Sequence, residues 1–263
     1  MHRAATDITA THGTDGVVIV RIDRPHKRNA MSLAMWRRLA TVFADLDADK
    51  AVRSIILTGT GGAFCAGADI SEFAALRSSP SDGETYDLAV ETAELAIIAS
   101  KKPTIAAISG ACVGGGLGLA LCCDFRVADA TAYFAIPAAR LGIVYGITET
   151  RQLLLAVGQA KAREILFAGR RIVMPEAALA GLVTHPVHDD VEAAAIAFAR
   201  SFAASAPRTI AGAKLILGAL ADGTAAERVL DIKRATNDAV VSRDYQEGIA
   251  AFAQKRQPRF KGD

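Results

Sequence analysis

Thr104–Ser109 (TIAAIS) is an apolar run without polar alternation. Such a run reads as a strand buried on both faces, and strands of that kind belong to sheets covered by helices on each side. Pro103 sets its start, and the stretch Gly110–Gly118 that follows is rich in glycine, with a helix through Leu121 growing from it. Other strands fall at Gly16–Ile22 (GVVIVRI), Arg53–Leu57 (RSIIL, closed by TGTGG) and Phe125–Ala128. Between them the spacing predicts a helix over Leu33–Leu46, capped by Ser32, with Trp36, Leu39, Ala40, Phe43 and Leu46 on its core face. A short helix from Ser71 to Arg77, a flexible loop at Ser78–Gly83 and a long amphipathic helix over Glu84–Ser100 come next. Strand, loop and helix in alternation predict parallel βαβ units.

From Glu149 onward the pattern turns almost wholly helical. Helices are expected at 150–157, 160–167, 175–180, 191–204, 209–220, 225–240 and 244–256. No internal repeat interrupts this shift. The balance of 30 basic against 28 acidic residues gives a net charge of +2, which points away from nucleic acid. No run approaches the roughly 20 apolar residues of a membrane span, and residues 1–14 lack a signal-peptide core. Cys65, Cys112, Cys122 and Cys123 have no metal-finger spacing and read as reduced, buried thiols. No metal site is expected, and a cytoplasmic location is.

Two segments carry the chemistry. Ala66-Gly67-Ala68-Asp69-Ile70 follows a strand and loop, and Gly114-Gly115-Gly116 with Gly118 opens a helix. N–H groups at a helix start lack partners within the helix and sit at its positive end. Facing another free N–H, they would form an oxyanion hole for charge developing on a carbonyl oxygen. The glycine turn has neither the Lys-Ser/Thr ending of a P-loop nor the G-x-G-x-x-G spacing.

Together with RIDRPHKRNAMS (21–32), ILTGTGGAFCAGADI (56–70), AGRRIVMPEAALAGLV (168–183) and DYQEGIAAFAQKRQPRF (244–260), these blocks resemble the enoyl-CoA hydratase/isomerase (crotonase) superfamily from about residue 18 to 262. The resemblance implies an α/β fold: a spiral of repeated ββα units over residues 1–195, which binds acyl-CoA, and a helical trimerisation region over 196–263. It implies an acyl-CoA thioester as ligand, with coenzyme A part of the substrate and no separate cofactor. It implies Ala66 and Gly115 as the N–H donors to the thioester oxygen. Arg24, Lys27, Arg28, Ala30, Ala68, Asp69 and Ile70 match segments along the coenzyme A, and Phe252 and Lys255 match C-terminal contacts that often come from a neighbouring subunit. Homotrimers, often stacked into hexamers, are the usual assembly.

Two departures stand out. Hydratases of this superfamily carry one glutamate where this chain has Gly118 and a second where it has Ala138. Without that acid and base, efficient hydration is not expected. Tyr145 lies in an LG-x-x-Y pattern similar to that of methylmalonyl-CoA decarboxylases, although their histidine is replaced by Ala68. Tyr145 either meets the reacting acyl group or plugs its pocket. Glu149, four residues on, is either a displaced catalytic carboxylate or a helix-start glutamate. Arg140 either contacts an acidic acyl tail or pairs at the surface, and Glu72 is expected to be solvated near the coenzyme A mouth. An isomerase or decarboxylase acting through an enolate, a non-catalytic acyl-CoA binder, and a hydratase using substitute groups all remain open on sequence alone.

Overall fold

Residues that alternate along a β-strand face opposite sides of a sheet, and here both sides are apolar. The computed structural model describes residues 7–13, 15–73 and 80–263, apart from the side chains of Pro80 and Asp82. Its main sheet contains β1 (Ile8–His12), β2 (Val17–Ile22), β3 (Ser54–Gly59), β4 (Thr104–Ile108), β6 (Phe125–Ala128) and β9 (His185–Pro186), in that order. β1 pairs antiparallel with β2 at one edge, and every other neighbouring pair is parallel. A smaller sheet joins β5 (Ala111–Val113), β7 (Tyr133–Ala135) and β8 (Ile172–Val173).

Ile55 and Leu57 of β3, with Ala106 and Ile108 of β4, face the larger core. That core is closed by helices α1 (Leu33–Ala48) and α2 (Pro80–Ile98), with Trp36, Phe43, Tyr86 and Ala93 buried between them. The intervening Ile56, Ile105 and Ala107 face the other way and pack under Val191, Ala195 and Ala199. Those three residues line one face of a helix over Val191–Ala203. The sheet is therefore a sandwiched layer, as its unalternating strands require.

Ser32 caps α1, its side chain accepting from Met35 N at 3.3 Å. Met35 and Val42 join the expected core face, while Ala40 is only partly buried. Glycine dominates 110–118 for two reasons, because β5 comes first and only then helix α3 (Gly115–Cys122). The short β5 was not expected, since glycines on either side hid a three-residue strand. β1, β7, β8 and β9 were missed as well; each is too short or too polar to show periodicity.

Pro80–Gly83 forms the first turn of α2 and not a loop, since proline is well suited to the first helical position. Ser78 and Ser79, and most of the helix expected over 71–77, lie outside the described residues; Ile70–Glu72 is a 3-10 turn. After α4 (Ala138–Leu141), the two helices expected over 150–167 are one run, α5 (Ile147–Ala168), kinked at Gly158. α6 (Met174–Leu179), α7 (Val191–Ala203), α8 (Pro207–Ala221), α9 (Val229–Val240) and α10 (Arg243–Ala253) complete the chain. No helix among the described residues is long and apolar enough to cross a membrane.

Candidate active site

The segment after β3 is held between two others. On one side Cys65 N donates to Ala111 O at 2.8 Å and Val113 N to Cys65 O at 3.0 Å. On the other, Met31 N donates to Gly67 O at 2.7 Å and Asp69 N to Met31 O at 2.8 Å. Because N–H groups alternate in direction along extended backbone, Ala68 is left facing away from Met31. Its N–H donates to none of the described residues. The Gly115 N–H, first of α3, likewise has no acceptor. The two groups come together across a cavity of about 350 Å³ whose wall includes Gly67, Ala68, Gly114 and Gly115.

This corrects one expectation. Ala66 lines the same cavity, but its N–H donates to Arg28 O at 3.0 Å and is not available to a ligand. Counting along the AGADI block could not reveal which of two alanines is bonded within the protein. Gly115 occupies the expected position. Gly114 adopts φ 54 and ψ −126, a conformation for glycine alone, and turns the chain from β5 into the helix. A side chain on Gly116 would collide with the Cys65 carbonyl, and one on Gly115 would press on the Trp36 ring at 3.2 Å. Glycine is therefore needed here for close approach as well as for the turn.

The other sequence candidates divide into two groups. Arg24 and Lys27 lie beside the AGADI segment, but both engage Asp69, at 2.8 and 3.0 Å. Burial alone would raise the Asp69 pKa; bonds from Ser71, Lys27 and Arg24 outweigh it and hold the carboxyl well below the usual range. Arg24 also donates to Ala30 O, and buried Asn29, at φ 60, bonds Thr60 O and Ala63 O to fix the loop. Arg28 and Ile70 are exposed, and of the two only Ile70 lines the cavity. Phe252 and Lys255, also exposed, are not among the residues lining the cavity. His26 is exposed. Glu72 is not simply solvated: its carboxylate accepts from Leu33 N at 2.9 Å and caps α1. Arg140 lies outside the cavity, donating to Ala168 O at 3.2 Å.

Tyr145, partly buried, lines the cavity and donates from its hydroxyl to Gly114 O at 2.9 Å. Burial, followed by Glu149 and Glu94, raises its pKa well above the ordinary value. Glu149 is the third residue of α5, where a carboxylate can reach back to the cap N–H. Burial raises its pKa, while a hydrogen bond from the Gly146 backbone opposes that rise. Sequence reasoning missed Glu94. It is 1% exposed, lines the cavity from α2, and its Oε1 has no hydrogen-bond partner among the described residues. Burial first, then Glu149 and Glu91, push its pKa up to about 9. A glutamate on an amphipathic helix reads as solvated, and only the fold turns this one inward. Ala138 is buried in the cavity wall, and Gly118 lies beside Glu94. Among the described residues no group of side chains could hold a metal ion.

The family model described as enoyl-CoA hydratase/isomerase matches residues 12–263. A mitochondrial methylglutaconyl-CoA hydratase of Mus musculus is 35% identical, over 94% of this chain and 80% of its own. The crystal structure of an enoyl-CoA hydratase/carnithine racemase from Magnetospirillum magneticum superposes with a TM-score of 0.91 at 38% identity, covering 98% of this chain and 96% of its own. An enoyl-CoA hydratase from Bacillus anthracis gives 0.88 at 32% identity, covering 98% and 100%.

Proposed function

Because the chain belongs to the enoyl-CoA hydratase/isomerase family of the crotonase superfamily, we propose that it binds an acyl-CoA thioester with the carbonyl oxygen on the N–H groups of Ala68 and Gly115. One observation carries this reading: two backbone N–H groups without acceptors meet across one cavity, each held by glycine-dependent packing. Fixed donors of this kind stabilise an oxyanion better than a neutral carbonyl, and each contributes about 10²–10³ in rate. The chemistry that follows is enolate chemistry at the α-carbon, of which a double-bond shift is the simplest form.

Efficient hydration of crotonyl-CoA is not part of the proposal, since Gly118 and Ala138 stand where hydratases carry glutamates. Malonyl-type decarboxylation has weaker support. The acidic residues Asp87 and Glu91 line the cavity beside Glu94 and Glu149 and oppose an anionic acyl group. The Tyr145 hydroxyl, bonded to Gly114 O, acts as a brace for the turn before Gly115. Along the coenzyme A we assign Arg28, Ile70 and the Arg24–Lys27–Asp69 cluster. Phe252 and Lys255 would serve from a neighbouring copy. Leu217, Leu230, Val240 and Phe252, at 66%, 71%, 51% and 88% exposure, leave apolar faces on the C-terminal helices that fit a homotrimer.

Calorimetry with butyryl-CoA and crotonyl-CoA tests the reading. Binding of both, with crotonyl-CoA hydration below the roughly 10⁴–10⁸ M⁻¹s⁻¹ typical of enzymes, is expected. Absence of binding to either thioester would overturn it. Light scattering reads the assembly, and a monomer at micromolar concentration would remove the trimer assignment.

A further inference from the structure

A buried carboxyl oxygen without a partner is costly and uncommon, and in native proteins it calls for a reason. Glu94 Oε1 is such an oxygen. Its position points to one. A Cβ built on Gly118 would lie 2.7 Å from Glu94 Oε1, 3.2 Å from the Tyr145 hydroxyl and 3.2 Å from Glu149 Cγ. Gly118 lies three residues beyond Gly115, so the two share one face of α3, about one turn or roughly 5 Å apart along the axis. That offset suits a group reaching the α-carbon of a thioester whose oxygen rests on the Gly115 N–H.

Resting on the acyl-CoA reading above, we propose that Glu94 is a catalytic residue: its carboxyl, entering from α2, occupies the space left by the missing side chain at Gly118 and exchanges a proton with the substrate α-carbon. In the forward step the α-C–H bond breaks and the proton moves to the Glu94 carboxylate. The electron pair becomes that of an enolate whose oxygen lies on Ala68 and Gly115 N–H. In the reverse step Glu94 returns the proton to carbon, at the α position or, for a double-bond shift, at the γ position. No oxidant or reductant is needed.

Glu149 has the complementary part. Its carboxylate is engaged by the Gly146 backbone N–H at the start of α5, whereas the Glu94 oxygen is unengaged. Two neighbouring carboxyls in a site of low polarity do not both ionise readily. The groups facing Glu94 reinforce this: Glu149 and Tyr145 from α5 and the loop before it, Cys122 from α3 with Arg151 behind it, and Glu91 on its own helix. The proton therefore resides on Glu94, which carries it to or from carbon.

The test is exchange of the α-protons of butyryl-CoA in deuterated water, followed by mass spectrometry, with binding read in parallel by calorimetry. Wild type should exchange, at a rate that climbs with pH towards about 9 as the carboxylate form grows. Glu94→Gln should slow exchange by about 10²–10⁴ with Kd changed less than about threefold, and should lose that pH profile. Glu94→Ala with Gly118→Glu moves the carboxylate to α3 and should restore at least about tenfold of the loss. Exchange in Glu94→Gln within about threefold of wild type overturns the proposal, as does a wild type that binds the thioester without exchanging. If wild type does not bind butyryl-CoA, the acyl-CoA reading itself has failed. Should Glu94→Gln not fold, Glu94→Asp decides: exchange reduced at least about tenfold at unchanged Kd supports the role, and unchanged exchange refutes it.

Discussion

Replacing Glu94 with glutamine should improve stability relative to wild type as pH climbs through neutrality. The carboxyl pKa rises from an ordinary 4.5 to about 9 in the fold, chiefly through burial. A raised carboxyl pKa means that the folded protein holds the proton more tightly than the unfolded chain. The associated stability is complete below about pH 4.5, where both states are protonated, and is lost as pH rises towards 9. The loss runs at about 1.4 kcal/mol per pH unit. Between about pH 5.5 and 7.5 the folded protein keeps the proton that the unfolded chain has released, so wild type loses about 2.7 kcal/mol. Sharing of the proton with Glu149 lowers the figure to about 1–2 kcal/mol. Glutamine has no proton to hold. Whatever the fixed cost of burying its amide, the stability of Glu94→Gln relative to wild type should improve by that amount over those two units. Urea unfolding of both proteins at the two pH values, at equal concentration and without ligand, measures it. A difference that stays constant within about 0.5 kcal/mol would refute the claim that this carboxyl is held neutral.

Four further outcomes follow from the geometry. Ser32→Ala removes the α1 cap and should cost about 1 kcal/mol, read by the same denaturation. Gly116→Ala meets the Cys65 carbonyl and should destabilise by about 3 kcal/mol or more, visible as a large fall in Tm. Asp69→Asn removes a carboxylate held below its ordinary pKa; its stabilising effect is present above about pH 4 and lost as pH falls below that, so the gap to wild type in an acid titration should close on the acid side. Tyr145→Phe removes one of two donors to the Gly114 carbonyl, which keeps the Gly118 N–H at 3.1 Å, and should cost about 1 kcal/mol or less in stability. If Tyr145 acts as a brace, proton exchange in that variant should fall less than in Glu94→Gln.

Much of the fold was legible because its strands are apolar on both faces and its helices carry strong caps. The runs at 16–22, 53–57, 104–109 and 125–128 correspond to β2, β3, β4 and β6 within a residue or two. What escaped were elements whose form depends on partners remote in sequence. β5 is a strand because Cys65 and Phe134 flank it, and β9 because β6 offers it an edge. Of the candidate site, the glycines of α3 marked one free N–H by their own chemistry, but the bond from Ala66 to Arg28 joins segments far apart in sequence, so counting along 66–70 could not tell which alanine keeps a free N–H. Glu94 carried no local signal. Its burial follows from the packing of α2 against α1 and α3, which no spacing along 80–98 records.

That Ala66–Arg28 bond couples two tasks mechanically. The loop of residues 24–30, braced by Asn29 and by the Arg24–Asp69 pair, is fastened to the backbone that presents Ala68. On the acyl-CoA reading proposed above, a thioester spanning both would have its nucleotide grip and its carbonyl alignment set by joined backbone. Attraction gained at the handle would then reach the reacting bond, and the coenzyme would serve as a lever on the barrier and not only as a tether.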